Sequence, residues 1–391
     1  KSRMRRRLFA VVLGLLPFVL LEVGLRAFGV GSVADDVHAG FGNTSPLFEL
    51  NESEGVYETN LAKQQFFVSQ RFAIKKPKNE FRIFCLGGST VQGRPYRPET
   101  SFGKWLELEL NASDPSTNYQ TINCGGISYA SYRLRPVLQE VLQYEPDLIV
   151  LATGHNEFLE DRTYSSVRER SGVRQTIERA AMSLRTVRVL RQAVGGTPRA
   201  EPTDNQPDAS KSVEARLDDE AGYASYHRDE EWHQQVVDQY SESVEAMLQV
   251  AAEAGVPLVA VRLGSNLRDC PPFKSEHRAD LSVEDQQRWQ TLFDEASQID
   301  LKEPAEALII YEQARDIDNQ HPLLHFRIAR CHDRLNNFAE AEASYRKARD
   351  ADICPLRMTS GMSDEFGRLA GEHNVPLVDA ELLVAAASAN Q

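Results

Sequence analysis

A chain of 391 residues exceeds one small core and suits two or more units, because domains commonly hold roughly 100 to 200 residues. Hydrophobic residues make up 41% and charged residues 26%, which excludes a wholly disordered chain, and the net charge of −13 argues against unaided binding to nucleic acid. Five cysteines (Cys85, Cys124, Cys270, Cys331, Cys354), odd in number and without a C-x-x-C pair, exclude zinc and thioredoxin-like chemistry and leave buried thiols, with one disulfide open if the chain is exported.

The N-terminus reads as a targeting segment. Lys1, Arg3, Arg5, Arg6 and Arg7 precede fourteen uncharged residues, Leu8 to Leu21, and Val23 to Val30 continues apolar apart from Arg26. Glu22 and Arg26 lie one helical turn apart and can pair near an interface, so residues 1–31 are expected to form a single-pass signal anchor. By the positive-inside tendency the basic end stays cytoplasmic and the remainder lies on the extracytoplasmic (periplasmic) side. A cleaved signal peptide, with Ser32-Val33-Ala34 as its cleavage site, is the rival reading, although that site lies far from the apolar run.

Residues 32–78 form a polar lead-in with aromatic anchors Phe66, Phe67 and Phe72 but no strong period, and no function is assigned to them. A rhythm of short apolar runs and longer amphipathic ones then begins. Phe81–Leu86, Tyr119–Asn123, Leu148–Ala152, Pro257–Arg262 and Val375–Val378 read as buried strands. Phe102–Leu110, Tyr132–Tyr144, Glu230–Ala254 and Ser363–Glu372 read as helices. This alternation predicts an α/β fold, a three-layer sandwich around a five-stranded, mostly parallel sheet.

Two segments interrupt the rhythm. Arg162 to Tyr226 opens with a basic stretch, Arg168–Arg191, which suits a solvated helix face or contact with anionic lipid; a flexible loop is expected over residues 195–212. Residues 281–352 contain an internal repeat: Ala305-Glu306-Ala307 recurs as Ala339-Glu340-Ala341, Tyr311 as Tyr345, Ala314-Arg315-Asp316 as Ala348-Arg349-Asp350 and Asp318 as Asp352, every offset being 34 residues. That period resembles tetratricopeptide helix pairs. Two repeats fall short of a self-standing solenoid, so the insert is expected to lean on its host and to offer a groove to a protein partner.

The ends of three predicted strands carry the chemistry. Gly87-Gly88-Ser89-Thr90 follows the first, Asn123-Cys124-Gly125-Gly126-Ile127-Ser128 the second and Thr153-Gly154-His155-Asn156-Glu157 the third. Open parallel sheets place ligands at these carboxyl ends. Acyl transfer from an ester needs a nucleophile and donors aimed at the developing oxyanion, for which a main-chain N–H and an Asn amide are suited. No histidine pair has H-E-x-x-H or comparable spacing, so neither metal nor cofactor is expected.

With these three turns in hand, the chain resembles the SGNH hydrolases, the GDSL-like lipase and esterase family, from about Arg82 onward with inserts. The resemblance implies Ser89 as nucleophile, with Gly88 standing for the Asp of G-D-S. The family's N-x-G-x-x-G matches at Asn123 and Gly125, its last glycine being Ser128, whose N–H is the implied oxyanion donor; a shifted turn would put Gly126 there instead. G-x-N-D matches at Gly154 and Asn156, with Glu157 for Asp, making Asn156 the implied side-chain donor. The D-x-x-H that supplies the base should follow the last strand. Asp318–His321 fits that pattern in the text but lies within the repeats, and Asp379-Ala380-Glu381 is followed by no further His, so the expectation is a C-terminally incomplete chain with impaired catalysis.

The expected boundaries are thus 1–31 for the anchor, 32–78 for the lead-in, 79–280 for the hydrolase domain, 281–352 for the helical insertion and 353–391 for the end of the hydrolase domain. The expected substrate is an acyl ester, on an envelope glycan or lipid. The alternative from a different class is a non-catalytic, membrane-tethered scaffold that binds a partner through its repeats, to which the departures at Gly88, Ser128 and Glu157 and the missing base histidine point.

Overall fold

The computed structural model describes residues 46–159 and 226–388, together with Leu21 and Gly24. The anchor at 1–31 and the basic segment and loop between 162 and 226 therefore lie outside the described residues. Among the described residues no helix is long and apolar enough to cross a membrane.

The lead-in is more regular than its sequence suggests. β1 (Phe48–Asn51), β2 (Val56–Thr59) and β3 (Arg71–Ala73) form an antiparallel three-stranded sheet in that order. Strands of three or four residues are too short to display a two-residue period, which is why no pattern announces them. Their aromatic side chains do the packing: Phe72 meets Phe48, Tyr57, Phe84 and Tyr144 with ring centroids 5.0 to 5.7 Å apart.

The main sheet contains β4 (Glu80–Gly87), β5 (Asn118–Gly125), β6 (Leu148–Ala152), β7 (Leu258–Arg262) and β8 (Leu377–Asp379). Its order is β5-β4-β6-β7-β8 and every neighbouring pair is parallel, as the alternating pattern predicts. Between the strands run α1 (Ser89–Gln92), α2 (Phe102–Ser113), α3 (Ser131–Val141) and α4 (Glu230–Glu253). The insert supplies α5 (Val283–Ile299), α6 (Pro304–Ile317), α7 (Pro322–Arg334) and α8 (Phe338–Asp350), and α9 (Ser360–Glu372) and α10 (Ala380–Ala387) flank β8. Helix α4 packs between α3 and α9 in one layer. On β4, Phe84 faces Tyr144 and Phe72, while Cys85 meets α2 at Gly103, so both faces are covered.

Helix ends follow local capping. Ser101 caps α2 and Thr359 caps α9 by accepting from Lys104 N–H and Met362 N–H, which starts α9 three residues earlier than its apolar period indicates. Helix α3 ends at Val141, three residues short of the expected Tyr144. All five cysteines are free, so the disulfide left open by the sequence is not formed; four are buried and Cys270 is exposed.

Arg82 lies wholly inside β4 at 0% exposure, and each of its donors is met. Nε bonds Glu80 at 2.7 Å, Nη1 the Tyr144 carbonyl at 2.8 Å and Nη2 the Ala73 carbonyl at 3.1 Å, with the guanidinium over the Phe72 ring. A buried charge persists only when so satisfied, and here it ties β3 to β4.

The open edge of β5 is closed by side chains rather than by another strand. Asn111 brackets the Tyr119 peptide (2.8 and 3.0 Å), Glu107 accepts from Thr121 N–H (2.8 Å), and Gln70 brackets Asn123, donating to its carbonyl at 2.6 Å and accepting from its N–H at 2.9 Å. Residues 119, 121 and 123 are the ones whose main chain points outward, so the edge offers little to a foreign strand.

The insert is built as the repeat predicts, and its matched positions are its buried ones: Ala307, Tyr311 and Ala314 on α6, and Ala341, Tyr345 and Ala348 on α8. It leans on the hydrolase domain through a strap, residues 273–278. Asp352 accepts from Phe273 N–H (2.6 Å) and Lys274 N–H (2.9 Å), and Asp318 meets His277 Nδ1 (2.8 Å). The aspartates that mirror each other in sequence thus anchor neighbouring points of one strap. The preceding loop joins in through Arg268, whose Nε meets Asp333 at 2.6 Å.

The Gln70 bracket joins the lead-in to the strand that carries the second motif. Gln70→Ala should lower stability by about 2 kcal/mol, the net loss of two hydrogen bonds that leave a main-chain pair exposed, read as a lower urea midpoint with an unchanged slope.

Candidate active site

The register sets the three motif turns at one level. Gly87, the last residue of β4, pairs with Gly125 of β5 on one side and Ala152 of β6 on the other. The turns that follow therefore leave the sheet side by side, where the strand order reverses and where such sheets bind ligands.

Ser89 opens α1 directly after Gly88, so its N–H belongs to the first helical turn, where main-chain donors lack intrahelical partners. The helix is only four residues long because Gly93, at φ +110°, turns the chain out of it. The Ser89 carbonyl then accepts from Gly93 N–H at 3.2 Å and Arg94 N–H at 3.0 Å.

The second turn is tied to this helix by Asn123. Its amide donates to the Val91 carbonyl at 3.0 Å, and its oxygen accepts from Gly125 N–H at 3.0 Å. Tyr129 N–H then closes on the Gly126 carbonyl at 3.3 Å, placing Ser128 at the third position of a four-residue turn with φ +59°. That position ordinarily takes glycine, which accounts for the family pattern that Ser128 departs from. Ser128 N–H has no acceptor among the described residues. Gly126 N–H, by contrast, donates to the Gly87 carbonyl at 2.9 Å, so the alternative donor is engaged in the sheet.

The third turn brings Asn156 to Gly88. Gly154 (φ +129°) and Asn156 (φ +68°) both adopt left-handed backbone, which folds the loop back over the end of β6. Asn156 Nδ2 is buried and, among the described residues, has no hydrogen-bond partner. It lies 3.1 Å from where a β-carbon on Gly88 would stand. A buried amide donor without a partner is uncommon in a folded protein and calls for an explanation. The residue next to Ser89 is thus a glycine against which that amide packs.

Glu157, which replaces the family's Asp, has a structural task that the sequence did not reveal. Its carboxyl accepts from Ser131 N–H (2.8 Å) and Ser131 Oγ (2.9 Å) at the start of α3, where Ala130 provides no side-chain cap. It locks the Asn156 turn to that helix. Burial pushes its pKa up to about 8, against the opposing pull of the two Ser131 donors.

His155 does not serve as the base. Its Nδ1 accepts from Met358 N–H at 2.9 Å, its ring also hydrogen-bonds the Gly264 main chain, and burial pushes its pKa down to about 4. The Asp318 and His321 pair sits in the insert as expected: His321 packs on Trp289 with centroids 4.4 Å apart and on His277 at 4.8 Å. After β8, Asp379 caps α10 through Leu382 N–H (2.9 Å) and pairs with Arg262 (2.6 Å). Among the described residues no three His, Cys, Asp or Glu side chains gather as metal ligands.

Because Glu157 is protonated more readily in the folded than in the unfolded chain, it favours folding below about pH 4.5 and the benefit is lost as pH rises toward 8. Glu157→Gln keeps an acceptor for Ser131 N–H and removes the charge. Its stability relative to wild type should climb across that interval, by at most about 1.4 kcal/mol per pH unit, and level off above pH 8. Thermal unfolding measured from pH 4 to 9 reads this directly.

Residues 85–297 match the family model described as GDSL-like lipase/acylhydrolase, and residues 298–352 match a tetratricopeptide repeat model. Among solved structures, a crystal structure of an acetyl xylan esterase is similar at 11% identity, covering 78% of this chain and 80% of that one with a TM-score of 0.31. No curated protein matches the sequence. With more than half of its length under one family model and that family's turns assembled at one end of its sheet, the chain belongs to the GDSL-like lipase/acylhydrolase family and carries a tetratricopeptide repeat region.

Proposed function

We propose that the chain is a serine-dependent esterase or acyltransferase that acts on acyl esters, with Ser89 as nucleophile. The observation that carries this reading is the buried, unpartnered amide of Asn156 beside the Gly88–Ser89 turn. In this reading Ser89 Oγ attacks the ester carbonyl carbon, the carbonyl π electrons move onto its oxygen, and that oxyanion accepts from Ser89 N–H, Ser128 N–H and Asn156 Nδ2. Collapse of the intermediate expels the alcohol and leaves an acyl-serine. Water or a second alcohol then takes the acyl group and restores the hydroxyl. Desolvated donors with no competing partner stabilise charge that exists only in the intermediate, which is what lowers a barrier rather than tightening substrate binding.

The proton of Ser89 needs a base, and among the described residues His155 is engaged elsewhere and the segment after β8 contains no histidine. The sensitive readout is therefore covalent labelling, which reports on the nucleophile and the oxyanion site together. A fluorophosphonate probe should label the wild-type protein, fail to label Ser89→Ala, and label Asn156→Ala about a hundred- to a thousandfold more slowly. Equal labelling of wild type and Ser89→Ala would remove Ser89 from the chemistry.

We also propose that residues 1–31 anchor the protein to a membrane with the hydrolase domain on the extracytoplasmic side, supported by the five N-terminal cations ahead of Leu8–Leu21. Acyl groups on envelope glycans or lipids would be within its reach, and a protein partner would dock on the helical repeats. The anchored chain should stay with the membrane pellet after alkaline carbonate washing, and its release would refute the anchor.

A further inference from the structure

We infer that the cavity beside the Ser89 turn binds an anionic saccharide, so that the ester acted on is one carried by an acidic sugar; this rests on the assignment of Ser89 as nucleophile. The cavity has a volume of about 370 Å³, within the range of small-molecule sites. Its walls come from the lead-in (Gln64, Gln65, Phe67, Val68, Ser69), from the chain that follows Ser89 (Gln92 and Arg94 to Pro98) and from Ile127, next to Ser128.

Three properties identify the ligand. The first is charge. The lining contains Arg94 and Arg97 and no carboxylate, in a chain whose net charge is −13. Among the described residues neither arginine has a carboxylate partner, whereas Arg71, Arg262, Arg268, Arg346 and Arg368 all do. The second is placement. Arg94 is joined to the nucleophile's turn twice, through its main-chain N–H on the Ser89 carbonyl at 3.0 Å and through Nε on Gln92 Oε1 at 3.2 Å. Gln92 is itself held by Nε2 on the Phe66 carbonyl at 2.8 Å. With Nε so fixed, the two terminal nitrogens of Arg94 present a fork of the kind that grips a carboxylate. The third is the character of the walls. Amide side chains and the exposed ring of Tyr96, at 78%, suit a hydroxylated ring that offers polar edges and a flat face. Phe67, Val68, Pro95, Pro98 and Ile127 supply the apolar part of the lining.

Binding is tested apart from catalysis by calorimetry on the full chain carrying Ser89→Ala, with tetragalacturonate as anionic probe and xylotetraose as neutral probe. Tetragalacturonate should bind at least tenfold more tightly than xylotetraose. Adding Arg94→Gln and Arg97→Gln should weaken tetragalacturonate at least tenfold without a matching change for xylotetraose. Equal affinities, no binding of either sugar, or unchanged affinity in the arginine variant would overturn the inference; should that variant fail to fold, the comparison of the two sugars decides. Acetate release from acetylated polygalacturonate by wild type and Ser89→Ala, run in parallel, judges the nucleophile separately. Undiminished release by Ser89→Ala, together with selective tetragalacturonate binding, would remove Ser89 as the nucleophile and leave the cavity assignment standing.

Discussion

The parallel register that sets Gly87 level with Gly125 and with Ala152 is the constraint on which the site depends. Three turns spread over residues 87 to 157 leave the sheet from one row, so the residues at their tips need only local bends to approach one another. A shift of one residue in either pairing would turn each side chain at the strand end to the opposite face. The bends themselves are left-handed at Ser128, Gly154 and Asn156, and strain of that kind collects where the surrounding structure over-determines it.

The surrounding structure does so through polar side chains that reach across the fold. Asn123 ties the second turn to α1, Glu157 ties the third turn to α3, and Gln70 holds Asn123 from outside the sheet. Among the described residues Asn156 Nδ2 is left without a partner, as is Thr153 Oγ1 just after β6.

The tetratricopeptide-like helices are an insertion that the host accommodates by a strap rather than by extending its sheet. Repetition of the sequence repeats the anchoring, with Asp318 and Asp352 holding His277 and Phe273-Lys274 respectively. Because two repeats bury too little on their own, the fixed strap gives the helical pair a rigid base while leaving the outer helix faces free of the hydrolase core.

Much of the architecture was legible from the residues alone. The five strands, of which the last is half-exposed with Val378 open to solvent, and the 34-residue repeat emerge because backbone geometry imposes periods of 2 and 3.6 on any chain that hides one face, and those periods are local. The three turns at Ser89, Ser128 and Asn156 were visible for the same reason, as small and polar residues at the ends of apolar runs. What the residues could not disclose were the partners chosen over long separations: that Gly126 N–H belongs to the sheet and Ser128 N–H does not, that Glu157 caps α3, that Gln70 and Asn111 close an edge, and that short strands of the lead-in complete the aromatic core. Hydrogen-bond partners are settled by which groups the packed chain brings within 3 Å or so of each other, and no local pattern encodes that distance. The family was therefore readable in the sequence, while the hydrogen-bond partners at the three turns and the cavity beside the Ser89 turn were decided only when the strands took their register.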